Sequence, residues 1–195
     1  GLGDVYKRQA FVSPFSEIPT LCMLCSFFDK NGEPFECSPE RTLHRAAAAF
    51  EESTGMTFEA MGELEYYVIA DDNGMFPAVD QRGYHESGPF AKFNEFRKQC
   101  MAYIAQTGGQ IKYGHSEVGN FTQDGKVYEQ NEIEFLPNPV ETAADQLVLA
   151  KWVIRNLAQM NGLDVTFAPK ITVGKAGSGL HIHMRKMKDG KNCMI

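Results

Sequence analysis

The chain has 195 residues, 43% of them hydrophobic, and carries 19 lysines and arginines against 25 aspartates and glutamates, for a formal charge of −6. That length and apolar share imply a packed core, in one sizeable domain or one domain plus part of another. An acidic chain with no lysine or arginine block lacks the electrostatic footprint of a nucleic-acid or anionic-membrane binder, and no stretch supplies the ~18 consecutive apolar residues of a membrane helix.

The opening nine residues, "GLGDVYKRQ", look like translated adapter sequence and are set apart from fold reasoning. Residues 18–37, "IPTLCMLCSFFDKNGEPFEC", predict two short strands around a turn at Lys30-Asn31-Gly32, because Asn-Gly supplies the positive φ that tight hairpins need. The five cysteines, Cys22, Cys25, Cys37, Cys100 and Cys193, are odd in number, irregularly spaced and not preceded by a signal peptide. This argues against a disulfide framework and fits a reducing cytoplasm. Cys22 and Cys25 form a C-x-x-C, but no second pair or spaced histidines accompany it, so buried, unreactive thiols are expected there.

A helix should run from Ser38 as cap and Pro39 in the first turn to a stop at Gly55. "MGELEYYVIA" reads as a strand on its aromatic and β-branched content, followed by a turn-forming Asp71-Asp72-Asn73-Gly74 and an irregular stretch over 77–90. From Phe90 to Gln106, the spacing of Phe93, Phe96, Cys100, Tyr103 and Ile104 predicts a helix with a core-facing stripe. "QIKYGHSEVG" and "KVYEQNEIEF" are strand candidates that could form a hairpin across "NFTQDGK". The longest helix is expected over 141–161, ended by Gly162, and "VTFAP" and "LHIHMRK" are the remaining strands before the turn "KDGK". Strands and helices alternate without a repeated βαβ beat, which predicts an α+β fold with a largely antiparallel, curved sheet flanked by helices.

Side chains two apart on a strand share a face. Glu63 and Glu65 therefore point one way, as do His115 and Glu117, the set Gln130, Glu132 and Glu134, and the pair His181 and His183, while Leu180, Ile182 and Met184 are expected to plug the core. So many carboxylates on sheet faces would repel one another and hold protons tightly unless cations lay among them. Hard divalent cations take oxygen ligands and accept an occasional imidazole.

"GELEYY", "HSEVG", "EQNEIEF", "FAPKI" and "GSGLHIHM", in this order, resemble the metal-binding core of glutamine synthetase. The similarity extends over nearly all of the chain after its first nine residues. The resemblance implies that 10–37 are the end of the family's β-grasp domain and 38–195 the first part of its catalytic domain. The chain would then be a fragment, inactive alone, of a ring-shaped cytoplasmic homo-oligomer. It further implies ATP, glutamate and ammonia as substrates and two or more Mg²⁺ or Mn²⁺ per site. Glu65, Glu117 and Glu132 would hold one ion and Glu63 and His181 the second, with His183 at the phosphates and the Gly177 backbone at glutamate. The family's acid on the ammonia side lies outside this chain. Three departures stand out: Ala176 where the pattern has Asn, a longer interval between Glu117 and Glu132 with "NFTQDGK" as the expected insertion, and "NEIEFLP" beside the nucleotide site. The first two keep in view a γ-glutamylamide synthetase acting on a larger amine such as a polyamine; a non-catalytic structural relative and a simple metal-binding module are the readings from other classes.

Overall fold

The computed structural model describes residues 5–194. Two strands, β1 (Val5–Val12) and β2 (Leu21–Cys25), pair antiparallel as a separate two-stranded sheet. Part of the adapter-like opening thus lies in a strand, and residues 1–4 are outside the described residues. The hairpin expected over 18–37 is reduced to a single bridge between Phe28 and Pro34, because β2 takes β1 as its partner instead. The small sheet leans on one helix: Phe11 and Phe15 set their rings 5.8 and 5.1 Å from that of Trp152. Cys22 is only half-buried and Cys25 is exposed, which corrects the expectation of buried thiols, since this sheet offers too little cover to enclose them.

Helix α1 (Pro39–Thr54) begins and ends as its sequence dictates, with the Ser38 hydroxyl accepting from the Arg41 amide and Gly55 closing it at φ 66°. Next comes β3 (Thr57–Asp71), the spine of the main sheet. Helix α2 (Asn94–Gln106) starts four residues later than expected. Its start is fixed by a side chain from elsewhere: buried Glu129 accepts from the amides of Lys92 and Phe93 at 2.7 and 3.1 Å. Strands β4 (Ile111–Gln123) and β5 (Lys126–Phe135) form the expected hairpin, turned at Asp124 and Gly125 with φ of 50° and 74°. The presumed insertion is the outer end of this hairpin, where Asn120–Gln123 pair with Lys126–Glu129. A two-residue β6 (Asn138–Pro139) leads into α3 (Val140–Met160), and β7 (Asp164–Thr166), β8 (Leu180–Lys188) and β9 (Lys191–Asn192) follow.

The main sheet runs β4-β5-β3-β8-β9, with β6 and β7 also paired to β3, and every pairing is antiparallel. Alternation along the strands sorts its two faces. Leu64, Tyr66, Val68, Ile133 and Phe135 point to the helical side and close a core with Phe96, Cys100 and Ile104 of α2 and Ala150, Val153, Ile154 and Leu157 of α3. Each large aliphatic chain so enclosed is worth roughly 1.5–3 kcal/mol. Gly62 sits where α3 crosses β3, and a β-carbon there would meet Leu147 Cδ2 at 2.8 Å.

The apolar residues of β8 do not plug that core. Leu180, Ile182 and Met184 are 43, 45 and 56% exposed, because α1 and α3 pack over β3 and leave β8 beyond their cover. Among the described residues no helix is long and apolar enough to cross a membrane.

Candidate metal and substrate site

The face of the sheet away from the helices carries the candidate ligand residues, and strand register brings them into two rows. In one row Glu63 of β3 lies beside His181 of β8 and Glu134 of β5, which pairs with Tyr113 of β4. In the next, Glu65 lies beside Glu132, which pairs with His115. Antiparallel neighbours set about 5 Å apart thus gather side chains from positions 63 to 183 into one patch.

Glu117 arrives by a different device. Between Ser116, paired with Asn131, and Asn120, paired with Glu129, β4 holds two more residues than β5. This bulge turns Glu117 toward the patch and presents the Gly119 amide to the Gln130 side-chain oxygen at 2.9 Å. The irregular 77–90 stretch straps the outer edge of β4, with the amides of Gln81, Gly83 and His85 donating to the carbonyls of Asn120, Val118 and Ser116. A β-carbon on Gly83 would come within 2.5 Å of the Glu117 carbonyl, so glycine is required at this crossing.

Two residues that the sequence reading gave no ligand role are central here. His115 stands 3.7 Å from each of Glu117, Glu132 and Glu134. Ligand atoms of His115, Glu117 and Glu132 lie within 4.8 Å of one another, as do those of Glu63, Glu132 and Glu134. The signal was present in the two-residue spacing from Glu117 and Glu132, but only register shows that the spacings superpose. His181 Nδ1 is 3.4 Å from Glu63 and 3.7 Å from Glu65, and His183 Nε2 is 2.8 Å from Glu63. Both imidazoles remain open, at 68 and 63% exposure, and face the same side as the carboxylates.

Electrostatics suit a cation. Burial and the nearby charges of Glu117, Glu65 and Glu63 push the Glu132 carboxyl up to about 8. Burial likewise raises Glu65, against a stabilising hydrogen bond from the Gly179 amide. Glu134 is the exception. Burial alone would raise it, but Lys112 at 2.7 Å and the Tyr113 hydroxyl hold it below the usual carboxylate range. Among the described residues Lys112 is the one lysine or arginine ion-paired to these five carboxylates. Oxygen donors in excess, a buried imidazole and uncompensated negative charge are the donor chemistry that Mg²⁺ or Mn²⁺ accepts.

Beside the carboxylates runs the glycine-rich loop at 174–179. The Tyr67 hydroxyl donates to the Ala176 carbonyl at 2.7 Å, and the Ala176 amide donates to Gln81 Oε1 at 2.6 Å. Burial, with Glu65 nearby, raises Tyr67 to about 12, so its hydroxyl keeps the proton it donates. A β-carbon on Gly177 would lie 2.3 Å from the Pro169 carbonyl, and one on Gly179 would lie 2.9 Å from Glu65 Oε1. Only glycine lets this backbone approach the carboxylates so closely.

Residues 36–195 match the family model described as "Glutamine synthetase, catalytic domain". A glutamine synthetase of Clostridium saccharobutylicum is 32% identical over 176 residues, covering 89% of this chain and 38% of that protein. Among solved structures, a Plasmodium falciparum glutamine synthetase superposes with a TM-score of 0.82 at 18% identity, over 97% of this chain and 42% of that one. An apo GmaS superposes at 0.79 and 17% identity, over 96 and 43%. The chain therefore spans about two-fifths of the length of the relatives it matches.

Proposed function

The chain belongs to the glutamine synthetase catalytic-domain family, and on that premise we propose that it carries the metal-binding half of an ATP-dependent ligase joining glutamate to ammonia through γ-glutamyl phosphate. In this reading residues 10–37 end a β-grasp domain and 38–195 begin the catalytic domain; the family match starting at residue 36 supports that division. The whole protein would work as a cytoplasmic ring of identical subunits, and the isolated 195 residues would not turn over. Cysteines odd in number and irregularly spaced support the reducing compartment.

One observation carries the proposal: Glu63, Glu65, Glu117, Glu132 and His181, carried on four different strands, gather in one patch of the sheet. Glu65, Glu117 and Glu132 would hold the ion nearer glutamate, and Glu63 with His181 the ion nearer the nucleotide. His115 and Glu134 place ligand atoms in the same cluster. Bound Mg²⁺ or Mn²⁺ would supply the positive charge that lets a phosphoryl group approach a carboxylate. This chain's own residues do the rest. His183, exposed on the same face, offers a ring N–H to phosphate oxygens. The loop at Gly177 offers backbone to glutamate. Tyr67 and Gln81 keep that loop fixed and so hold the acceptor carboxylate in line.

Formation of γ-glutamyl hydroxamate by the whole protein from glutamate, hydroxylamine and ATP with Mg²⁺ or Mn²⁺ is the test; a folded whole protein without this activity would refute the reading. Ala176 favours a second one. Its methyl group stands where the family has an Asn that reaches glutamate, a change in the substrate loop that fits a γ-glutamylamide synthetase taking an alkylamine or polyamine. Comparing ammonia with such amines as acceptors separates the two.

A further inference from the structure

Gln130 is almost fully buried and lies at the junction of three parts of the site. Its Nε2 donates to Glu65 Oε2 at 2.8 Å and to the Gly177 carbonyl at 2.9 Å, and stands 3.4 Å from the Ser178 hydroxyl. Its Oε1 accepts from the Gly119 amide in the β4 bulge at 2.9 Å. This arrangement fixes the amide's orientation, because acceptors lie on one side and an N–H on the other. A single planar group thus spans a carboxylate of the cluster, the glycine loop and the bulge that turns Glu117 inward. Room is tight around it: a β-carbon on Gly119 would lie 1.9 Å from the Tyr67 hydroxyl and 2.8 Å from Gln130 Oε1.

We propose that Gln130 is a positioning residue that holds the Glu65 carboxylate and the Gly177 loop in one fixed relation, so that cation loading at the carboxylates and ordering of the loop occur together. The metal half of this statement rests on the function proposed above; the mechanical half rests on the four hydrogen-bond contacts alone. With the amide in place, neither Glu65 nor the loop can shift without breaking its bond to Gln130. The Gly179 amide, which also bonds Glu65, closes the same ring from the loop side.

The test uses two variants of this chain. Gln130→Met removes every polar contact, while Gln130→Asn keeps an uncharged amide that is one methylene too short to reach Glu65 and the Gly119 amide together. Circular dichroism and thermal melting establish folding, and Gln130→Asn keeps the experiment decisive if Gln130→Met does not fold. Amide exchange is read at Ala176, Ser178 and Gly179, with core amides of β3 as reference, and Mn²⁺ affinity is measured by calorimetry. Loss of the bridge should speed exchange at the loop roughly tenfold while leaving the β3 amides unchanged. It should also weaken Mn²⁺ binding ~10–100-fold, as expected for a group that orients a ligand from behind. In the wild type, Mn²⁺ should slow loop exchange further, and neither variant should show that response. Loop exchange matching wild type in a folded variant, or uniform loss of protection across the chain with Mn²⁺ affinity intact, would overturn the proposal. Failure of the wild type to bind Mn²⁺ would overturn the metal reading and its coupling to the loop, and metal-free exchange would still decide whether Gln130 fixes the loop.

Discussion

Glu132 makes the proposed metal site sensitive to pH, and the size of the effect follows from its surroundings. Its carboxyl titrates near 8, against 4.5 for the ordinary group, because it is buried beside Glu117, Glu65 and Glu63. Between those values the folded, metal-free protein keeps a proton that the unfolded chain has released. The protonated carboxyl therefore contributes stability that is fully present below pH about 4.5 and is lost as the pH rises through 8, on the order of a few kcal/mol shared over the coupled carboxylates. A divalent ion must displace that proton. At pH 6 a group titrating near 8 is about 99% protonated and at pH 8 about half, so Mn²⁺ affinity should rise about 50-fold over those two units. Calorimetry in two buffers of different ionisation enthalpy measures both the affinity and the proton release, close to one at pH 6 and about half at pH 8. Glu132→Gln should bind Mn²⁺ more weakly at pH 8, lose most of the pH dependence, and melt higher than wild type in the absence of metal at alkaline pH. Affinity that is flat from pH 6 to 8, with no proton released, would refute the account of a crowded carboxylate relieved by a cation.

Other perturbations probe the frame around the site. Gly179→Ala should displace Glu65, whose Oε1 is 2.9 Å from the added carbon, and reduce Mn²⁺ affinity by about tenfold in calorimetry while the fold persists. Glu129→Ala leaves the amides of Lys92 and Phe93 without their acceptor, and urea unfolding should register a loss of about 2–4 kcal/mol. Asp145, raised to about 6 by burial with Glu40 and Glu141 nearby, contributes stability below pH 3.8 that is lost as the pH passes 6. Asp145→Asn should accordingly raise the melting temperature at pH 8 and make little difference near pH 4, with a gain on the order of 1 kcal/mol.

What could be read from the sequence was what depends on local chemistry. Ser38, Pro39 and Gly55 delimit α1 because capping is decided within a few residues, and the period of two in "GELEYY" and "LHIHM" places each histidine and glutamate on the correct face. Register is a different matter, since it is set by contacts between segments far apart. That is why His115 and Glu134 were seen as face-mates of other residues but not as members of a cluster. The β4 bulge had no local mark either; two extra residues opposite β5 show only when both strands are in place. The start of α2 was misjudged because its cap comes from Glu129, some 36 residues downstream. Burial of Leu180, Ile182 and Met184 failed for a similar reason: alternation says which way a side chain points, and another element must be there to cover it.

That uncovered strand governs how the 195 residues behave on their own. From Leu180 to Arg185, β8 has β3 along one side and, among the described residues, no strand along the other, while three bare aliphatic chains line one surface. A backbone margin of this kind pairs readily with another polypeptide. In concentrated solution the free chain will therefore tend to self-associate along β8, whatever ions are present.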